Sequence, residues 1–235
     1  MKTSLILVPG LLCDDTVWHL QAAALSGYAD IQIADNSECD SLAAMAQAII
    51  DSAPAHFSIA GHSMGGRVAL EVLRRVPERI ERLALLDTGY HPLPQGEVGE
   101  RETASRLRMV AMARELGMRE MGVVWLQGMV HPERLSDSAL VASILDMIER
   151  RTPECYAAQT RALLARPDAA PLLQEIRCPT LLLCGQQDSW SPVDRHRRMA
   201  AQIPSSQLTI VPECGHMSTM ERPQAVSAAL QGWLA

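Results

Sequence analysis

The segment GHSMGGRVA sets Ser63 between Gly61 and Gly65, directly after the apolar run HFSIA at 56–60. A helical pattern follows, with Val68, Val72, Leu73 and Val76 at helical spacing. A serine hydroxyl is a poor nucleophile unless a histidine takes its proton and an acid holds that histidine. Seven histidines are available, and His216 stands apart, in VPECGHMSTMERP, between the last apolar run and the last helical pattern. Asp188, in LLLCGQQDSWSP, follows the preceding apolar run. A Gly-x-Ser-x-Gly match alone arises by chance about once in ten to fifteen chains of this length. Its setting says more: a strand, a tight turn and a helix, in the order Ser63, Asp188, His216, is the arrangement in which a strained turn displays a nucleophile. Glycines beside the serine relieve the crowding of such a turn, and Gly66 lets the helix pack closely.

These residues need a scaffold, and the pattern of the chain supplies one. Short β-rich runs at 4–8, 31–34, 56–60 and 82–87 alternate with helical patterns at 15–25, 41–53 and 64–76. That alternation predicts a mostly parallel, doubly wound α/β sheet, because parallel strands need crossover helices. It stops between 89 and 175, where helical stretches at 97–116, 118–129, 136–150 and 153–165 contain no convincing strand. Strand patterns resume at 180–185 and 207–212, with helices at 192–202 and 223–234. The expected organisation is an α/β core of 1–88 and 176–235 with a helical insert, 89–175, acting as a cap. All candidate chemistry then falls at strand ends, where open α/β sheets bind their ligands.

Composition narrows the partners. Of 235 residues, 48% are hydrophobic and 20% charged, as in an ordinary globular protein. A formal net charge of -6 argues against nucleic acid and against anionic membrane, leaving a small molecule as the expected partner. Lys2 is the only lysine, which removes mechanisms that need an interior amine. The six cysteines form no Cys-x-x-Cys pair and no zinc-spaced Cys/His cluster, so they read as small hydrophobes, with no metal or cofactor implied. The N-terminal MKTSLILVPGLLCDD has the charge and apolar run of a short leader. Pro9-Gly10 breaks that run and acids follow it, so it reads as a first strand, and a cytoplasmic location is expected. No apolar run approaches the roughly 20 residues of a membrane span.

Taken together, LILVPG, GHSMGG, CGQQDSWSP and CGHMSTMERP resemble the α/β-hydrolase family, in particular its small capped esterases, over essentially the whole chain. The resemblance implies Ser63, Asp188 and His216 as a catalytic triad. It also implies an oxyanion hole built from the backbone N–H groups of Met64 and, by position, Leu11. Many relatives carry His-Gly in that first loop where this chain has Pro9-Gly10-Leu11-Leu12, a departure that leaves backbone donors intact. Asp87, in LALLDTG, also ends a strand and is an alternative acid, since some members of the fold use that position.

His62, Trp125 and Trp190 are candidates to line a pocket, while the arginines between 101 and 166 read as a solvated helical face. The methionine-rich insert, with Met109, Met112, Met118, Met121, Met129 and Met147, suits either an adaptable apolar pocket or simple helix packing. The expected activity is hydrolysis of a small carboxylic ester through an acyl-enzyme. Two alternatives remain: carbon-carbon bond hydrolysis or a menaquinone-pathway-like elimination on the same triad, and a small-ligand receptor that has kept the pocket. Epoxide hydrolases and haloalkane dehalogenases use aspartate where Ser63 stands, and the missing lysine disfavours hydroxynitrile lyases.

Overall fold

In the computed structural model, which describes residues 2–235, six strands form one parallel sheet. They are β1 (Thr3–Val8), β2 (Ala29–Ile33), β3 (Phe57–His62), β4 (Ile80–Leu86), β5 (Thr180–Gly185) and β6 (Ser206–Val211), in spatial order β2-β1-β3-β4-β5-β6. The central strands are covered on both faces: all six residues of β3 and of β5 are buried. Helices covering both sides of a parallel sheet require that. Edge strand β2 instead alternates buried and accessible positions.

The first three helices are α1 (His19–Leu25), α2 (Leu42–Ser52) and α3 (Met64–Arg75). The insert supplies α4 (Glu97–Leu116), α5 (Met118–Leu126), α6 (Ser138–Glu149) and α7 (Pro153–Leu164). The short α8 (Ala170–Leu173) closes that segment, and α9 (Val193–Ala200), α10 (Ser218–Glu221) and α11 (Pro223–Leu234) complete the chain. Helix α2 packs on α3, and α1 on α11. Right-handed crossovers place these two pairs on opposite faces, because the strand order reverses between β1 and β3. Among the described residues no strand falls between β4 and β5, where α4 packs on α5 and α7 and α5 packs on α6.

Most elements lie within a few residues of their sequence-based positions, with three differences. The 15–25 helix opens as a 3-10 turn over Asp15–Trp18, capped by the Asp14 side chain on the Thr16 N–H. The helix expected at 118–129 ends at Leu126, so Gln127 to Val130 form a connecting loop. Short helices α8 and α10 had no sequence signal, since four residues are too few to show a period. All six cysteines are free thiols; Cys13, Cys184 and Cys214 are buried and the others half-buried. Among the described residues no helix is long and apolar enough to cross a membrane.

Candidate active site

Ser63 sits between the last residue of β3 and the first of α3, with φ 55° and ψ -116°. That conformation is strained for any residue with a side chain, and the neighbouring elements hold it. The Ser63 N–H donates to the Leu86 carbonyl at 2.8 Å, and the Thr88 hydroxyl donates to the Ser63 carbonyl at 2.6 Å. The glycines permit the close approach this needs. A Cβ at Gly61 would lie 2.2 Å from the Gly65 carbonyl oxygen, and one at Gly65 2.1 Å from that of Val8. Gly66 passes equally close to Thr88, where a Cβ would lie 2.6 Å from the threonine methyl. The turn therefore lifts the hydroxyl above the sheet edge, at the positive end of α3.

The structure brings Ser63, His216 and Asp188 together. The Ser63 hydroxyl lies 2.8 Å from His216 Nε2, and His216 Nδ1 lies 2.8 Å from Asp188 Oδ2. With Nδ1 protonated and bonded to the carboxylate, Nε2 is free to accept the serine proton. The other Asp188 oxygen accepts the Trp190 and Ser191 N–H groups, both at 2.8 Å. Burial raises the Asp188 pKa, but His216 and these donors outweigh it and hold the carboxyl below its ordinary value. Burial likewise opposes a charge on His216, yet the field and hydrogen bond of Asp188, with help from Asp87, leave the imidazole more basic than usual.

Asp87, the alternative acid, is placed otherwise. It ends β4 with φ 49°, fully buried, and accepts the Gly185 N–H at 2.9 Å and the Ser218 hydroxyl. Burial, then the Asp188 charge, pushes its pKa well up, the opposite direction to that of Asp188. It makes no hydrogen bond to His216 among the described residues.

Leu11, Ser63, Met64 and His216 all line one cavity of about 630 Å³, together with Trp125 and Trp190. Among the described residues neither the Leu11 nor the Met64 N–H has a protein acceptor. The adjacent Leu12 N–H is instead taken up at 2.9 Å by Gln159 Oε1, from α7. His62 differs from expectation. It lies beneath the cavity, 1% exposed, with its Nε2–H donating to the His216 carbonyl at 2.8 Å. Burial pulls its pKa down to about 4, so it remains a neutral support for the histidine loop.

Arg101, Arg108, Arg114, Arg150 and Arg161 are exposed, as a solvated face requires, but two arginines of the segment depart from it. Arg106 and Arg166 line the cavity, and Arg166 is 7% exposed. Both pair with Glu102, Arg166 through two contacts of 2.9 and 2.8 Å and Arg106 through one of 2.9 Å. Helix α4 carries Glu102 and Arg106 one turn apart, which hides an inward polar face inside an apparently charged helix.

Several supporting residues carried no sequence signal. Glu221, in α10, accepts the N–H groups of His131, Gly215 and Met217, fixing the loop around His216. The Met129 carbonyl accepts the His216 N–H at 2.8 Å and the Met217 N–H at 3.1 Å. A carboxylate two residues before a proline, and a backbone carbonyl, look ordinary in a sequence; only the fold shows what they hold.

The chain is similar to known hydrolases along nearly its whole length. It is 25% identical over 218 residues, 89% of this chain and 73% of the relative, to the 2-hydroxy-6-oxononadienedioate/2-hydroxy-6-oxononatrienedioate hydrolase of Escherichia coli K12. A thermophilic esterase from Thermogutta terrifontis superposes with a TM-score of 0.87 at 27% identity, covering 100% of this chain and 90% of that one. The enol-lactonase of Burkholderia xenovorans LB400 shares the fold, with a TM-score of 0.87 at 22% identity over 100% of this chain and 92% of that one. The model of the alpha/beta hydrolase family itself matches residues 5–229, and the chain belongs to that family.

Proposed function

We propose that the protein hydrolyses a small carboxylic ester, with Ser63 as nucleophile, His216 as general base and acid, and Asp188 orienting the imidazole. The observation that carries this reading is the unbroken chain of 2.8 Å contacts from Ser63 to His216 to Asp188, opening into a cavity. His216 takes the serine proton as the hydroxyl attacks the carbonyl carbon. The tetrahedral oxyanion develops against the unpartnered N–H groups of Leu11 and Met64 at the start of α3, where preorganised donors are worth most. His216 then returns the proton to the leaving alcohol. Water, activated by the same base, releases the acid and frees the serine. The helices between β4 and β5 serve as a cap that roofs the nucleophile with Trp125, Met109 and Met129 and limits water.

Ser63→Ala should abolish turnover of short p-nitrophenyl esters while leaving far-UV circular dichroism and melting unchanged in form. Hydrolysis surviving in that variant would overturn the assignment. A second reading, carbon-carbon bond hydrolysis on the same three residues, is favoured by the relative at 25% identity, named for cleaving a dienedioate. Loss of the absorbance of a 2-hydroxy-6-oxo-dienoate, at a rate far above that of the esters, would select it.

A further inference from the structure

We propose that Arg67 and Arg195 form a carboxylate-binding subsite beside Ser63, so that the natural substrate carries a carboxylate besides the bond that is broken. The proposal rests on Ser63 being the nucleophile and adds a substrate class to that reading.

Both side chains pass close to Gly89. A Cβ at Gly89, in the loop after β4, would lie 2.9 Å from Arg67 Nη2 and 3.2 Å from both Cδ and Nη1 of Arg195. Both arginines line the cavity that holds Ser63 and His216. Arg67 stands one turn along α3 from Ser63, and its Nη1 is anchored on the His91 carbonyl at 2.9 Å. Arg195 is anchored from the other side: its Nη1 donates to the Trp190 carbonyl at 2.8 Å and to the Ser191 hydroxyl at 3.3 Å. These anchors use one nitrogen of each fork, and a guanidinium has five donors.

Neither arginine has a carboxylate within ion-pair distance among the described residues. The negative groups nearby are already engaged. Glu102 is held by Arg106 and Arg166. Asp188 is taken up by His216 and two backbone N–H groups. Asp87 is taken up by the Gly185 N–H and the Ser218 hydroxyl. Two half-buried guanidiniums that line one cavity without a carboxylate partner favour an anion between them. Burial, then Arg166, Arg195 and Arg106, pull the Arg67 pKa down to about 9, a stress a bound carboxylate relieves. A planar carboxylate can take two N–H groups from such a pair, which a neutral ester cannot match.

The test compares methyl pentanoate with monomethyl succinate, glutarate and adipate, following acid release at constant pH. At least one hemiester should exceed methyl pentanoate in kcat/KM by about tenfold to a hundredfold, the range of charge-assisted hydrogen bonds. That ratio should collapse towards one in Arg67→Gln and Arg195→Gln and be partly kept in Arg67→Lys. A ratio near one for all three hemiesters, or one that survives both glutamine substitutions, overturns the subsite. Ser63-dependent turnover of methyl pentanoate would still stand in that case. Should no ester be turned over, the ester-hydrolysis reading fails alone. Calorimetric titration of Ser63→Ala with glutarate then decides the subsite: binding weakened at least tenfold by adding Arg67→Gln supports it, and no binding, or binding indifferent to both arginines, overturns it.

Discussion

Two carboxyls near one histidine are shifted in opposite directions, Asp188 down and Asp87 up. Asp188 is ionised because His216 and two backbone N–H groups stabilise its charge, whereas Asp87 is buried with a hydroxyl and one N–H. Asp188→Asn should therefore lower kcat/KM by about 10³- to 10⁴-fold, through loss of the productive tautomer. Asp87 makes no hydrogen bond to the His216 ring, so Asp87→Asn should cost far less; equal losses in the two variants would reassign the acid. The pH profile carries a second expectation. His216 must be neutral to act as base, and its raised pKa moves the acid limb of kcat/KM above the ordinary histidine value of about 6.5. Activity is thus lost as pH falls through that limb, and a limb centred below 6 would contradict the coupling to Asp188.

The elements hold these groups by backbone contacts that tolerate almost no added volume. Gly65→Ala would push a Cβ to within 2.1 Å of the Val8 carbonyl oxygen, so β1 and α3 must separate. Thermal melting should show a loss of more than about 2 kcal/mol, together with collapse of activity. Gln159→Leu tests the loop after β1. It leaves the buried Leu12 N–H without its acceptor, at a cost of about 1–3 kcal/mol, and should lower kcat more than it raises KM. Glycines, strand runs and the order of Ser63, Asp188 and His216 were legible in the sequence because turn chemistry and hydrophobic period are local. Gln159, Glu221 and the Met129 carbonyl were not, since each acts on a loop distant in sequence. The inward turn of Arg106 and Arg166 was hidden for a related reason. Helix α4 is charged over much of its surface, so no periodicity marks Glu102 and Arg106 as its inward face.

For the whole molecule, acid stability turns on two buried neutral histidines. His196 accepts the Thr88 N–H through Nε2 and lies against the Pro192 carbonyl through Nδ1, and burial lowers its pKa to about 4, as it does for His62. The unfolded chain protonates both near pH 6.5 and the fold does not, so stability falls as pH drops from about 6.5 to about 4. Each contributes at most about 3 kcal/mol, at roughly 1.36 kcal/mol per pKa unit. Asp87 has the opposite sign, keeping a proton that the unfolded chain releases near pH 4, and so offsets part of the slope. Urea melts should give a lower midpoint at pH 5 than at pH 7, with the difference reduced in His196→Gln. An unchanged midpoint would show that these imidazoles are hydrated. The 89–175 segment also reaches both sides of the reaction centre: its Gln159 holds the loop after β1, and its Met129 carbonyl holds the backbone of His216. Recombination between relatives that exchanged this segment would therefore import foreign supports for the base and for the oxyanion loop together with a new roof. A chimera carrying a relative's segment should lose activity unless it also reproduces the Gln159 and Met129 contacts.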